Sequence, residues 1–104
     1  MASGKLGKAA LAAAADTDLY TVPAGTVATA NINLCNRTSA AVTVRLAIRS
    51  AALADADYIE YDAALPANGV LERTGIALSA GETITVRASA AGVSARAHGF
   101  EEVA

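Results

Sequence analysis

The chain of 104 residues has no tryptophan and one phenylalanine, Phe100, whereas alanine makes up more than a quarter of it. An alanine side chain buries little apolar area, so each alanine in a core contributes less than a leucine or phenylalanine would. A domain of this length still buries roughly 60–65% of the surface that its unfolded chain exposes. We therefore expect one domain with a thin core, which gains further stability from neighbouring subunits or a partner surface.

Other scarce residues exclude whole classes of protein. Cys35 is the only cysteine, which excludes an internal disulfide and favours a reducing compartment. His98 is the only histidine, so no histidine-rich metal site is expected. No apolar run reaches the roughly 18 residues that cross a membrane, and the net charge of −2 comes without a basic stripe for nucleic acid. We expect no metal, no cofactor, no membrane contact and no nucleic-acid partner.

The first 16 residues, MASGKLGKAALAAAAD, are rich in alanine and lack the dense large apolar residues of a signal peptide. Alanine favours helix, but apart from Met1 the segment has only Leu6 and Leu11 as large apolar side chains. Residues 1–16 are therefore a frayed terminus, an arm that docks on a neighbouring subunit, or an edge segment of the domain. We favour the arm, because Leu6 and Leu11 would otherwise have nothing to bury against.

Apolar and polar residues alternate along most of the remaining chain, which is the period of half-buried β-strands. The two clearest runs, residues 26–35 and 41–48, are joined by the polar connection NRTS, and this arrangement predicts an antiparallel hairpin. The predicted strands cover residues 18–22, 26–35, 41–48, 58–62, 70–78, 83–89 and 93–100. The side chains predicted to be buried include Ile32, Leu34, Val44, Leu46, Ile84 and Val86.

Three connections share one form of turn: VPAGT at 22–26, LPANGV at 65–70 and LSAGET at 78–83. Proline sets φ for a first turn position, and glycine or Asn-Gly supplies a left-handed one. Gly75 interrupts another strand and predicts a bulge or bend.

Short alternating runs separated by regular turns are typical of a β-sandwich or small barrel. We predict an all-β fold, an antiparallel β-sandwich of jelly-roll or Ig-like type with about seven to eight strands. Residues 17–104 would form the sandwich domain, and residues 1–16 the alanine-rich N-terminal arm or edge segment.

Residues with catalytic potential are few. Cys35 could act as a nucleophile only with a base beside it, and His98 is the sole imidazole. We instead expect Cys35 to be a small buried apolar residue and His98 to lie on the surface of a strand. No phosphate-binding glycine loop and no Ser-His-Asp set can be assembled. We therefore expect no catalytic residues and no enzymatic activity.

Two further motifs have simple structural interpretations. Asp55, Asp57, Glu60 and Asp62 form an acidic patch, but the spacing of a calcium-binding loop is absent, so a solvated face is expected. The sequence Asn36-Arg37-Thr38 matches a glycosylation acceptor. We expect it to be a turn in which Asn36 hydrogen-bonds to its own backbone.

Several segments resemble a group of small virion proteins of tailed bacteriophages, variously tail-associated, fibre-associated or head-decorating. The resemblance covers about residues 4–102. Its strongest pieces are Leu19–Gly25 (LYTVPAG), Cys35–Arg37 (CNR), Tyr58–Asp62 (YIEYD) and Leu78–Gly81 (LSAG). The resemblance implies a β-sandwich module with a structural role, which agrees with the interpretation of the residues themselves.

The expected function is that of a structural virion protein, either a decoration (cement) protein on the capsid or an accessory tail subunit. Its partners would be copies of itself, as a homo-oligomer, and the major capsid or tail proteins. It would assemble in the cytoplasm of the bacterial host and reside in the virion. The alternative is a receptor- or carbohydrate-binding sandwich module of a tail fibre or baseplate. The residues expected to make protein contacts are Leu6, Leu11, Tyr20 and Phe100.

Overall fold

A computed structural model describes residues 3–104, which form eight β-strands and a single turn of 3₁₀ helix. The strands are β1 (Ser3–Leu11), β2 (Thr17–Thr21), β3 (Thr26–Asn36), β4 (Val42–Arg49), β5 (Tyr58–Leu65), β6 (Val70–Leu78), β7 (Thr83–Ala88) and β8 (Val93–Val103). The 3₁₀ turn, η1, spans Asp55–Asp57 and leads directly into β5. All seven strands predicted from alternation are present, and β1 is an eighth. No helix among the described residues is long and apolar enough to span a lipid bilayer.

The strands form two four-stranded antiparallel sheets. Sheet one has the order β1-β8-β3-β6, and sheet two has the order β2-β7-β4-β5. This alternation of strands between two sheets is the eight-stranded jelly roll, rather than the arrangement of an immunoglobulin domain. One lateral side of the sandwich is formed by β1 and β2, and the opposite side by β5 and β6.

The core lies between the two sheets and is built from the inward positions of each strand. All six side chains predicted to be buried are confirmed as buried. Alanines fill many of the remaining inward positions, as expected for a thin core: Ala28, Ala30, Ala88, Ala95 and Ala97.

The three predicted turns each contain a residue with left-handed backbone geometry. Gly25 has φ 72°, Asn68 has φ 56° and Gly81 has φ 83°. In the LPANGV turn the asparagine, rather than the glycine after it, takes the left-handed position. Gly75, with φ 67°, lies in the predicted bulge, where β6 has one more residue than β3 opposite it.

The N-terminal segment is part of the sandwich and does not extend away from it. Ser3–Leu11 pairs with β8 along its length as an edge strand of sheet one, and Leu11 is only 3% exposed. Gly7 lies so close to β2 that a Cβ atom there would collide with the carbonyl oxygen of Leu19. Of the alternatives considered, Ser3–Leu11 is the edge segment and not the favoured docking arm, because its leucines find apolar partners within their own chain. The part of that prediction that concerns Met1 and Ala2 lies outside the described residues.

Candidate contact surfaces

The four residues expected to make protein contacts lie in different environments. Leu11 belongs to the core, and Leu6 packs partly against it, so Leu11 has no surface to offer a partner. Tyr20 is half-buried and donates a hydrogen bond to the carboxylate of Glu101, which links β2 of sheet two to β8 of sheet one. Phe100 is 45% exposed on the outer face of sheet one. Of the four, Phe100 is the one whose side chain is most available for contact.

The outer face of sheet two carries charges that neutralise one another. Three arginines of β4 and β7 are each paired with an aspartate on or beside the edge strands. The pairs are Arg45–Asp62 at 2.7 Å, Arg49–Asp18 at 2.6 Å and Arg87–Asp16 at 3.5 Å. Because each arginine already has a carboxylate, this face presents little uncompensated charge to a partner.

Hydrogen bonds within these pairs change the acidity of two aspartates. The bond from Arg49 holds the pKa of Asp18 below its ordinary value of 3.8, against the opposing effect of burial. The hydroxyl of Thr85 also donates to Asp18, at 2.9 Å, and lowers the pKa in the same direction. The bond from Arg45 likewise lowers the pKa of Asp62. Both carboxylates are therefore ionised partners of the network at neutral pH.

Two polar contacts join the sheets at the opposite lateral sides of the sandwich. On one side Glu60 of β5 forms an ion pair with Arg73 of β6. On the other side lies the bond between Tyr20 and Glu101. Burial of the phenol is the larger cause that raises the pKa of Tyr20 well above its ordinary value of 10.0, and the hydrogen bond to Glu101 raises it further. Tyr20 is therefore a neutral hydrogen-bond donor in the native protein.

The outer face of sheet one differs, because it gathers basic side chains that have no carboxylate partner among residues 3–104. We call Lys5, Lys8, Arg37, Arg96 and His98 the basic face. Strand register places Lys5 opposite His98 and Lys8 opposite Arg96. The side chain of Arg37 donates to the hydroxyl of Ser94 on the same face, at 2.7 Å. Within residues 3–104, no carboxylate forms a salt bridge with any of these five side chains.

The basic face could not be predicted from the sequence, because its residues come from distant parts of the chain. About 90 positions separate the lysines of β1 from Arg96 and His98 of β8. The signal in the sequence is weak: Lys5 and Lys8 are three residues apart in an alanine-rich segment, and Arg96 and His98 are two residues apart in an alternating strand. Only the pairing of β1 with β8 brings them together.

A second surface, which we call the acidic edge, consists of Asp55, Asp57, Tyr58 and Tyr61 of η1 and β5. The tyrosine rings meet edge to face, with centroids 4.9 Å apart and planes at 86°. They line an open cleft of about 420 Å³ together with Asp55. Asp57 accepts a hydrogen bond from the backbone of residue 54 and so holds the turn. This surface lies on the side of the sandwich opposite β1.

The acidic patch is only partly the solvated face that was expected. Glu60 and Asp62 are engaged by arginines, whereas Asp55 is exposed and makes no ion pair among the described residues. No group of three metal-ligating side chains occurs within residues 3–104.

Asn36 closes the corner at the end of β3 and is far more buried than a simple turn requires. It is 1% exposed, and its side-chain NH₂ group donates to the carbonyls of Ala40, Leu65 and Pro66 at 2.8–3.2 Å. Its Oδ1 accepts from the backbone N–H of Thr38 at 3.0 Å, which confirms the predicted local hydrogen bond. Glycosylation needs access to the same side-chain nitrogen, so the folded corner is closed to it.

Cys35 is half-buried on the outer face of sheet one, so the prediction of a buried cysteine is wrong. The reason is strand parity: Leu34 and Asn36 point inward, so Cys35 points outward, opposite Ser94. His98 is exposed, as predicted. It lies four residues from Ser94 along β8, roughly 13 Å away. The fold therefore does not bring the thiol and the imidazole together.

No family model, no curated protein and no solved structure matches this chain. What the protein does is therefore inferred from its own surfaces and sequence.

Proposed function

We propose that this protein is a structural subunit of a tailed-phage virion that acts by protein–protein contact. Its place would be on the capsid as a decoration protein or in the tail as an accessory subunit. The observation that carries the contact role is the division of surface charge between the two sheets. Sheet two neutralises its arginines internally, whereas sheet one leaves a basic face that has no carboxylate partner within residues 3–104.

The virion setting is supported by the sequence resemblance to small phage structural proteins and by an analogy of fold. Jelly rolls are frequent in viral capsid proteins, although a fold alone does not define a function. A small, alanine-filled core also suits a subunit that gains stability from neighbours.

The proposal is tested by counting copies of the protein in purified particles. Quantitative mass spectrometry should find it at a fixed ratio to the major capsid protein. A ratio near one copy per capsid subunit, or per capsomer, would indicate head decoration, whereas a handful of copies would indicate the tail tip. Absence from particles that have been washed and banded on a density gradient would contradict the virion role.

A second candidate function is carbohydrate or receptor binding at the acidic edge. Tyr61 is 59% exposed and stands beside Tyr58 and Asp55, a combination of aromatic and carboxylate groups that sugars can use. The guanidinium of Arg45 already lies 4.2 Å from the centroid of the Tyr61 ring, which reduces the flat surface left for stacking. Glycan-array binding that is lost in Tyr61→Ala would favour this candidate over the first.

A further inference from the structure

Like charges face each other across the pairing of β1 with β8. Lys8 is directly opposite Arg96, and such pairs of like charge on neighbouring strands destabilise a sheet. A carboxylate placed between them would remove this repulsion, but the described residues provide none in the folded chain. Within residues 3–104, no carboxylate therefore forms an ion pair with Lys8 or Arg96.

The surface around these two cations has room for a protein segment. A groove of about 510 Å³ lies there, and apart from the two cations its lining is small: Ala9, Ala10, Ser94 and Ala95. Small side chains allow another chain to approach the sheet closely, so that short aspartate side chains can reach the cations. If the residues that line this groove had longer side chains, they would keep a folded partner away from Lys8 and Arg96.

The same chain carries a surface of opposite charge that fits this need. The carboxylates of Asp55 and Asp57 lie on η1, a short turn at the β5–β6 side of the sandwich. Lys8 and Arg96 of the basic face lie on β1 and β8, at the other end of the strand order of sheet one from β6. Because the two surfaces are on opposite sides of the molecule, one copy can use both at once with two different neighbours.

The charge distribution favours a second copy over a nucleic acid as the partner of the basic face. The whole chain has a net charge of −2, so its long-range field repels a polyanion. Glu72 and Glu102 also lie on the outer face of sheet one, so this face is not positive throughout. A partner with a few localised carboxylates avoids this repulsion, whereas a continuous phosphate backbone does not.

We propose that copies of this chain associate head to tail, with the acidic edge of one copy against the basic face of the next. The carboxylates of Asp55 and Asp57 lie next to Lys8 and Arg96 in this contact. The contact joins two different surfaces, so it generates a ring where the rotation closes and a filament where it does not. This inference rests on the proposed contact function and names one of its partners.

The test uses the purified full-length chain and two charge-reversal variants. In Lys8→Glu/Arg96→Glu both surfaces are acidic, and in Asp55→Lys the charge at residue 55 is reversed, which cancels the negative charge of Asp57 while the Asp57 hydrogen bond is kept. Sedimentation velocity over a range of concentrations measures self-association. We expect the wild type to associate and each variant to lose at least about tenfold in association constant, as expected for the loss of close charge pairs.

The decisive measurement is a mixture of the two variants. Asp55→Lys keeps its basic face and Lys8→Glu/Arg96→Glu keeps its acidic edge, so the native contact can form between the two variants, and the mixture should associate more strongly than either variant alone. Glu102→Lys is the matched control, since it changes the net charge by the same amount as Asp55→Lys at a position away from the groove. It should associate like the wild type. Circular dichroism confirms that each variant is folded.

Several results would overturn the head-to-tail contact. These are a wild type that stays monomeric at all concentrations, self-association that ignores both reversals, and a mixture that stays monomeric. A monomer that binds double-stranded DNA through Lys8 and Arg96 would identify a polyanion as the partner instead. A monomer that is nevertheless recovered from purified particles would overturn this contact and leave the virion role intact. Self-association by a protein that is absent from purified particles would support the head-to-tail contact and contradict the virion role.

Discussion

At the scale of single residues, Asn36 makes more side-chain hydrogen bonds than its position at the end of a strand would suggest. It connects the end of β3 to the loop before β4 and to the turn after β5. The side-chain NH₂ group of Asn36 donates to the carbonyl oxygens of Ala40, Leu65 and Pro66, which folding removes at least partly from water. The corner therefore depends on a single side chain.

We expect Asn36→Ala to lower the free energy of unfolding by about 2–4 kcal/mol, because buried acceptors that lose their donor keep their desolvation cost. Urea unfolding followed by circular dichroism measures the change. The matched control is Asn33→Ala, at a half-buried outward position of the same strand, which should cost about 0.5 kcal/mol or less. Equal losses in the two variants would show that Asn36 does not hold the corner.

The raised pKa of Tyr20 predicts that the protein loses stability at alkaline pH. Its native pKa is raised above the ordinary value of 10.0, so the unfolded chain releases the phenolic proton first. The stabilisation by Tyr20 is therefore fully present below about pH 10 and is lost as the pH rises above that value. Tyr20→Phe should show a weaker decline than the wild type in urea midpoints between about pH 9 and pH 11.

Tyr61→Phe is the control for this measurement, because it removes an exposed phenol and leaves the other ionisable groups unchanged. It should follow the wild-type curve. Identical pH dependence in Tyr20→Phe and the wild type would show that the bond to Glu101 does not contribute to alkaline stability.

At the scale of elements, β1 is the strand that closes one side of the sandwich. It is an edge strand of sheet one that also approaches β2 of sheet two, and Gly7 permits this approach. Without β1 the core side chain of Leu11 would be missing, and β8 would become an exposed edge.

We expect Gly7→Ala to destabilise the protein by about 2 kcal/mol or more, because the added methyl group overpacks against the backbone of β2. Hydrogen exchange should show faster exchange of amides in β1 than in β3, which keeps both of its neighbours. Ala10→Ser, an exposed position on the same strand, should leave stability and exchange nearly unchanged. Full protection of β1 in Gly7→Ala would contradict the close approach.

At the scale of the whole molecule, the alanine-rich core leaves stability open to contributions from neighbours. A complex that only folded copies can form stabilises the native state by mass action. Head-to-tail contact therefore predicts that the thermal unfolding midpoint rises with protein concentration. In Asp55→Lys the midpoint should rise less with concentration than in the wild type. A concentration-independent wild type would contradict self-association as a source of stability.

Much of the fold followed from the sequence because its signals are local. Alternation with period two, together with residues that favour strands, identified seven strands, and turn residues such as Asn68 supplied the left-handed geometry that reverses the chain. The alternation around Leu34 places Cys35 on the outer face, whereas the usual burial of free cysteine predicted an inward position. In the structure Cys35 follows the alternation and points outward.

The strand β1 and both candidate contact surfaces depended on tertiary structure. Lys5, Lys8 and the alanines around them have no clear period, so neither their strand nor its partner could be predicted. The basic face exists because register places these lysines beside Arg96 and His98 from the other end of the chain. The sequence by itself determined where strands and turns form, since these depend on neighbouring residues. Only the pairing of distant strands decided which charges meet, because a long-range contact has no local signature.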